Sequence, residues 1–457
     1  MRMKGKFHLG TATLCAAALT IAAATNSAAT EVTHVAAPAP VTALHASPTS
    51  KVVKLTWVNP KTGTYSAVMV RRLPGTTAPA TFKLGLLVGA WPAGHNLIYD
   101  TKVVAHTTYS YSVFAYKGTA YSAPAKVTTT TALSAPLIFS TGSYALNYPT
   151  SITYDGANMW VPNVFGNAVS EFVAASGKFV RNVFNTSGHD VFNHPSDVAF
   201  ANGSIWVTNP PGPGNPGQPS GTVTQINAKT GLVTKVLGAS SAGGAPTFFD
   251  PEEIASTGAD LWVVNGDYNG GAGSLTEFSA TTGLLVRTVT GVSGDFNNPN
   301  AILAVGPDIW VTNNGNGTLT EVSVATGAVL KNITGFPNPT ALAYSNGDIW
   351  VAINDSSTQS VSELSIATLS IIHTYSAGLN LLRPGAMVIV GTHAFVANTR
   401  GGIGTTISVV STTNGSLVTT LSGAAYTFDG PCRLIFDGTN IWAVNETNST
   451  LTEFPPV

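Results

Sequence analysis

Met159-Trp160-Val161-Pro162-Asn163 is followed by Ile205-Trp206-Val207-Thr208-Asn209, Leu261-Trp262-Val263-Val264-Asn265 and Ile309-Trp310-Val311-Thr312-Asn313. Ile349-Trp350-Val351-Ala352, Ala394-Phe395-Val396-Ala397-Asn398 and Ile441-Trp442-Ala443-Val444-Asn445 complete the series. Subtracting successive aromatic positions gives spacings of 40 to 56 residues. A proline opens each copy, at Pro149, Pro195, Pro251, Pro299, Pro339, Pro384 and Pro431. Downstream lies an alternating stretch such as Ser274-Leu275-Thr276-Glu277-Phe278 or Thr450-Leu451-Thr452-Glu453-Phe454. A Thr-Gly or Ser-Gly hairpin and a last strand usually follow. Strict alternation marks half-buried strands, and self-similarity at this period marks stacked supersecondary units.

Four strands per repeat at a period in the forties make a propeller blade, so the expected fold is all-β with seven blades. The seventh copy stops at Phe454, one strand short, while Leu137-Ile138-Phe139-Ser140 lies ahead of the first copy with no blade of its own. Pairing of residues 137–142 with the last blade would close a ring spanning 133–457 and remove its exposed edges. The opening proline, the Leu/Ile-Trp-Val-x-Asn strand and the Thr-Gly hairpin together resemble the virginiamycin B lyase-like and NHL or YVTN-type propellers. That resemblance implies a site at the central channel and, for the lyases, a metal with a His/Glu pair.

Outward from the repeats, residues 37–132 alternate as short strands. Val53-x-Leu55-x-Trp57 and Thr107-Thr108-Tyr109-x-Tyr111-x-Val113-x-Ala115 resemble the core strands of a fibronectin type III domain. The resemblance implies a tyrosine corner, with a phenol bonding back to the chain. Residues 1–29 read as a signal peptide: Arg2, Lys4 and Lys6 precede an apolar stretch ending in small residues, with a linker at 30–36. Secretion, and no transmembrane anchor after cleavage, are therefore expected. Cleavage would leave Cys432 as the one cysteine, which excludes an intramolecular disulfide or a cysteine-built zinc site. With 21 Lys+Arg against 22 Asp+Glu there is no basic surplus for nucleic acid.

Chemistry is sought where the copies differ. Two residues past each proline stand Ser151, Asp197, Glu253, Ala301, Ala341, Ala386 and Arg433; just before it stand Tyr148, His194, Asp250, Asn298, Asn338, Arg383 and Gly430. The second and third copies thus carry the acids and the histidine, and also the long loops Pro210–Gly221 and 266–273. The expected site is the channel mouth over blades one to three, with Asp197, Glu253, His194 and Asp250 as its core. Arg433 supplies a cross-channel charge, and Asp267 and Tyr268 a lid. Asp197, Glu253 and Asp250 could share a divalent cation, Ca or Mg, through oxygen ligands. Alternatively, one acid could be held protonated for acid–base work, with Asp197, Glu253 and His194 as catalytic candidates. The competing reading is an ion-paired plug in which Arg433 holds Asp197 or Glu253. His189, Asp190 and His194 are a weaker candidate metal cluster, and Cys432 beside Arg433 a weak candidate nucleophile. Two functions compete. One is a non-catalytic, monomeric binding or adhesion protein for an extracellular protein or polysaccharide. The other is an extracellular lyase or glycan-active hydrolase.

Overall fold

The computed structural model describes residues 35–457 apart from 106, 133, 141–144, 185–190, 212–220, 239–245, 267–271, 293 and 400–403. Strands and turns make up the described residues, and none of them forms a helix long and apolar enough to cross a membrane. The chain divides into two compact units, one ending at Thr131 and the other built mainly from Ala132–Val457.

In the first unit, Val53–Val58 pairs with Thr42–Pro48 and Leu97–Asp100, while Ala67–Pro74 pairs with Leu86–Pro92 and Thr108–Lys117. Period-two alternation points Val53, Leu55 and Trp57 into one core with Val68, Val70, Tyr111 and Val113. The phenol of Tyr111 donates at 3.0 Å to the carboxylate of Asp100, which also holds Arg72 at 2.7 Å. The expected bond from a phenol back to the main chain is thus, at Tyr111, a bond to a side chain. Burial, followed by the Asp100 charge, pushes the Tyr111 phenol well above its usual range, so it stays a donor.

Among its described residues the second unit contains seven four-stranded antiparallel sheets in chain order. Their first strands are Thr153–Tyr154, Val198–Ala201, Pro251–Ser256, Pro299–Val305, Pro339–Ser345, Pro384–Val390 and Pro431–Phe436. Each first strand lies against the first strand of the next sheet, through to the seventh. The seventh returns to the start, where the Cys432 thiol donates to the carbonyls of Pro149 and Thr150 at 3.8 and 3.6 Å. The last sheet is completed by Leu137–Phe139, in register Leu451↔Phe139, Thr452↔Ile138 and Glu453↔Leu137.

The repeated residues have packing jobs. Six of the Trp rings are fully or almost fully buried between sheets. Each buries roughly 150–250 Å², worth about 4–6 kcal/mol at about 25 cal/mol per Å². The strand-ending Asn ties the loop before the next strand into its own sheet. Asn265 accepts from the Phe249 amide at 3.2 Å and donates to Thr276 Oγ1 at 2.9 Å, and Asn163, Asn398 and Asn445 repeat that arrangement. Repeated Glu residues hold fourth-strand cations, as in Glu171–Arg181 at 2.6 Å and Glu277–Arg287 at 2.5 Å.

Candidate functional site

The residue before every opening proline has a left-handed backbone. φ is 56° at Tyr148, 52° at His194, 49° at Asp250 and Asn298, 53° at Asn338, 51° at Arg383 and 63° at Gly430. Asn, Asp, His and Gly are the residues that tolerate this conformation. Backbone geometry alone therefore accounts for His194 and Asp250 in the positions where an ionisable pair was expected. Tyr148 and Arg383 are the bulky residues held in it, at a cost of about 1–2 kcal/mol each.

Two residues further on, the side chains from three sheets meet. Asp197 is 3% exposed. Its Oδ1 accepts from the Ser151 hydroxyl and, at 3.2 Å, from Arg433; its Oδ2 accepts the Ile254 amide at 2.9 Å. Glu253 pairs with Arg433 Nη1 through Oε1 and accepts the Ile302 amide at 3.2 Å through Oε2. One guanidinium from the seventh sheet thus bridges carboxylates of the second and third. Burial alone would lower the Arg433 pKa, but Asp197 and Glu253 raise it, so the group stays charged. Burial raises Glu253, and Arg433 pulls it back. This donor set does not suit a divalent cation, because Arg433 and two backbone amides already occupy the carboxylate oxygens. Among the described residues, no three His, Cys, Asp or Glu side chains could hold a metal ion together.

The other expected site residues separate from this cluster. Asp250 is raised by burial and adds its charge to Glu252 rather than joining Arg433. His194 bonds to Asn193 Oδ1 at 2.8 Å and meets the Phe165 ring edge-on at 6.4 Å. Asp267, Tyr268, His189 and Asp190 lie outside the described residues. Cys432 does not fit a nucleophile. Burial pushes its thiol far up, helped by Glu446, and outweighs Arg433, while Sγ faces three main-chain carbonyls.

Two features were not anticipated. Glu252 stands one residue past the proline, where Thr150, Ser196 and Thr340 each donate a hydroxyl to the next sheet's main chain. Its carboxylate has no hydrogen-bond or ion-pair partner among the described residues. It is open to solvent yet ringed by protein, and burial followed by the charges of Asp250, Glu253 and Asp197 pushes it up to about 7.

The second feature is an aromatic row. Phe165, 58% exposed, lies 4.7 Å from Tyr148 and 6.4 Å from His194 by ring centroids. Phe165 occupies a tight turn that recurs with a left-handed fourth residue at Asn167, Gly317 and Ser449; the same place in the other two turns holds Gly315 and Thr447. The turn has no need of a large apolar side chain there.

No family model matches the chain, and no curated protein matches it. Among solved structures, Kuenenia stuttgartiensis hydrazine synthase superposes with a TM-score of 0.55 at 15% identity, over 68% of this chain and 96% of that one. The computationally designed Ika8 protein gives 0.48 at 12% identity, over 93% of this chain and 97% of that one. What the hydrazine synthase likeness shows is the fold: an all-β, β-propeller-like array of four-stranded sheets.

Proposed function

We propose that this chain is a secreted binding protein. In this reading a signal peptide exports it, a fibronectin type III-like module at 37–132 acts as spacer, and a seven-bladed propeller at 133–457 carries the ligand at its channel mouth, over the first blades. The observation that carries the reading is the Tyr148–Phe165–His194 row. It combines a solvent-exposed ring that the turn does not require and a Tyr held in a backbone conformation it disfavours. Exposed apolar surface and stored backbone strain both concentrate at binding sites. Flat rings suit the C–H faces of a polysaccharide, and Asn193 and Glu446 flank the row with polar groups for its hydroxyls.

Affinity electrophoresis through gels containing soluble extracellular polysaccharides tests this. Wild type should be retarded by at least one of them. Phe165→Ala and Tyr148→Asn should each weaken the retardation at least tenfold, about 1.4 kcal/mol. Tyr148→Asn should at the same time raise stability by about 1 kcal/mol, because Asn tolerates the left-handed backbone. Unchanged retardation in both variants would refute the assignment.

A second reading, an extracellular lyase or glycan-active hydrolase, is favoured by Glu252 rather than by Asp197 or Glu253. A carboxyl pushed up to about 7 with no partner among the described residues can give or take a proton. Its signature would be cleavage of the bound polysaccharide that is lost in Glu252→Gln while retardation persists.

A further inference from the structure

The first strands lining the channel repeat one hydrogen-bonding position. Three residues past the proline, the residue faces its partner strand in the same register in five sheets: Ile254↔Val263, Ile302↔Val311, Leu342↔Val351, Met387↔Val396 and Leu434↔Ala443. In the third and fourth sheets the amide of this residue leaves its own sheet. Each time, a carboxylate projected from the preceding sheet takes it: Asp197 accepts Ile254, and Glu253 accepts Ile302. The preceding sheets of the other three positions carry Ala301, Ala341 and Ala386 in place of the acid. Alanine brings no acceptor, so the amides of Leu342, Met387 and Leu434 receive none from it.

Where the acids are missing there is a cavity of about 180 Å³, lined by these three alanines, by Leu342, Met387 and Leu434, and at one end by Arg433 and Glu253. At about 30 Å³ per water it has room for about six. We propose that this cavity is a receptor for a small carboxylate, which supplies to the fifth, sixth and seventh sheets the oxygens that Asp197 and Glu253 supply to the third and fourth. The protein's own solution at the two filled positions defines the chemistry: one carboxylate oxygen on the amide, the other on Arg433. Backbone amides from neighbouring strands aimed at one space form an anion-binding concavity, and charged acceptors make bonds roughly twice as strong as neutral ones. The two acids already on Arg433 oppose a third charge, which sets a modest affinity, with a Kd on the order of 1 mM. The site is independent of the aromatic row and does not rest on the polysaccharide reading.

The probe is malonate, titrated into the full-length protein by calorimetry and by thermal unfolding, against its neutral isostere malonamide. Malonate should bind and raise the melting temperature, and malonamide should be at least tenfold weaker. Ala341→Asp, which places a carboxylate beside the Met387 amide, should fold and lose malonate binding at least tenfold; Ala386→Val, which fills the space without charge, should lose it equally. Phe165→Ala should leave it unchanged. No malonate binding, equal binding of malonamide, or full binding in both cavity variants would overturn the proposal.

Discussion

Replacing Arg433 by Met tests the electrostatics of the Asp197–Arg433–Glu253 cluster directly. Arg433 is the one cation that contacts Asp197 and Glu253 in ion pairs among the described residues, and its side chain is 29% exposed against 4% and 21% for theirs. Removing one partner of a buried ion pair costs about 3–5 kcal/mol because it leaves uncompensated buried charge. The partial exposure of Arg433 puts this site at the lower end, about 3 kcal/mol. For a unit of this size, at about 2 °C per kcal/mol, the melting temperature should fall by about 6 °C at pH 8. The sign of the pH dependence follows from the same contacts. Burial already raises Glu253, and Arg433 is what pulls it down; without Arg433 the folded-state pKa of Glu253 moves further above the unfolded value. The penalty is then present in full at high pH and is relieved as pH falls and Glu253 takes up its proton. Thermal and urea unfolding of both proteins, followed by Trp fluorescence from pH 8 to pH 5, reads this. Adding Asp197→Asn and Glu253→Gln to Arg433→Met should recover most of the loss at pH 8. A loss below about 1 kcal/mol at pH 8, or a gap that does not narrow on acidification, refutes the argument.

Glu252→Gln should flatten the pH dependence of stability between the ordinary carboxyl value of 4.5 and about 7. A raised folded pKa means stability present below that window and lost as pH rises through it, so the variant should be the more stable protein at pH 8. Phe139→Ala removes a 5% exposed ring stacked 5.1 Å from Trp442 and 5.8 Å from Phe172. It should cost about 3–5 kcal/mol in urea unfolding, and a loss under about 1 kcal/mol would deny the last strand its role in the sheet. Cys432 should resist iodoacetamide in the native protein and react once it is unfolded; rapid native alkylation would contradict its burial.

The architecture was legible because packing between equivalent sheets asks for the same side chains each time. Trp160, Trp206 and Trp262 bury their rings in the same way, and Asn163, Asn265 and Asn445 anchor their loops with the same bonds. Positions that break a repeat cannot be read so directly, since the sequence shows the departure and not its partner. Asp197, Glu253 and Arg433 stand out as departures, and the structure brings them together, but as three charges that consume one another and two backbone amides. His194 and Asp250 looked like departures of the same kind, yet their position selects for left-handed backbone.

The same logic, applied one residue earlier, singles out Glu252. Thr150, Ser196 and Thr340 define a hydroxyl staple there, and a carboxylate in that place has nothing to donate. The informative comparison is therefore not which copies carry charge. It is which copies carry a residue that cannot do the structural job its equivalents do. By that test Ala301, Ala341 and Ala386 against Asp197 and Glu253 point the same way as Glu252. Each gives up a local contact that its counterparts keep, and the three alanines line the cavity in which a ligand could restore it.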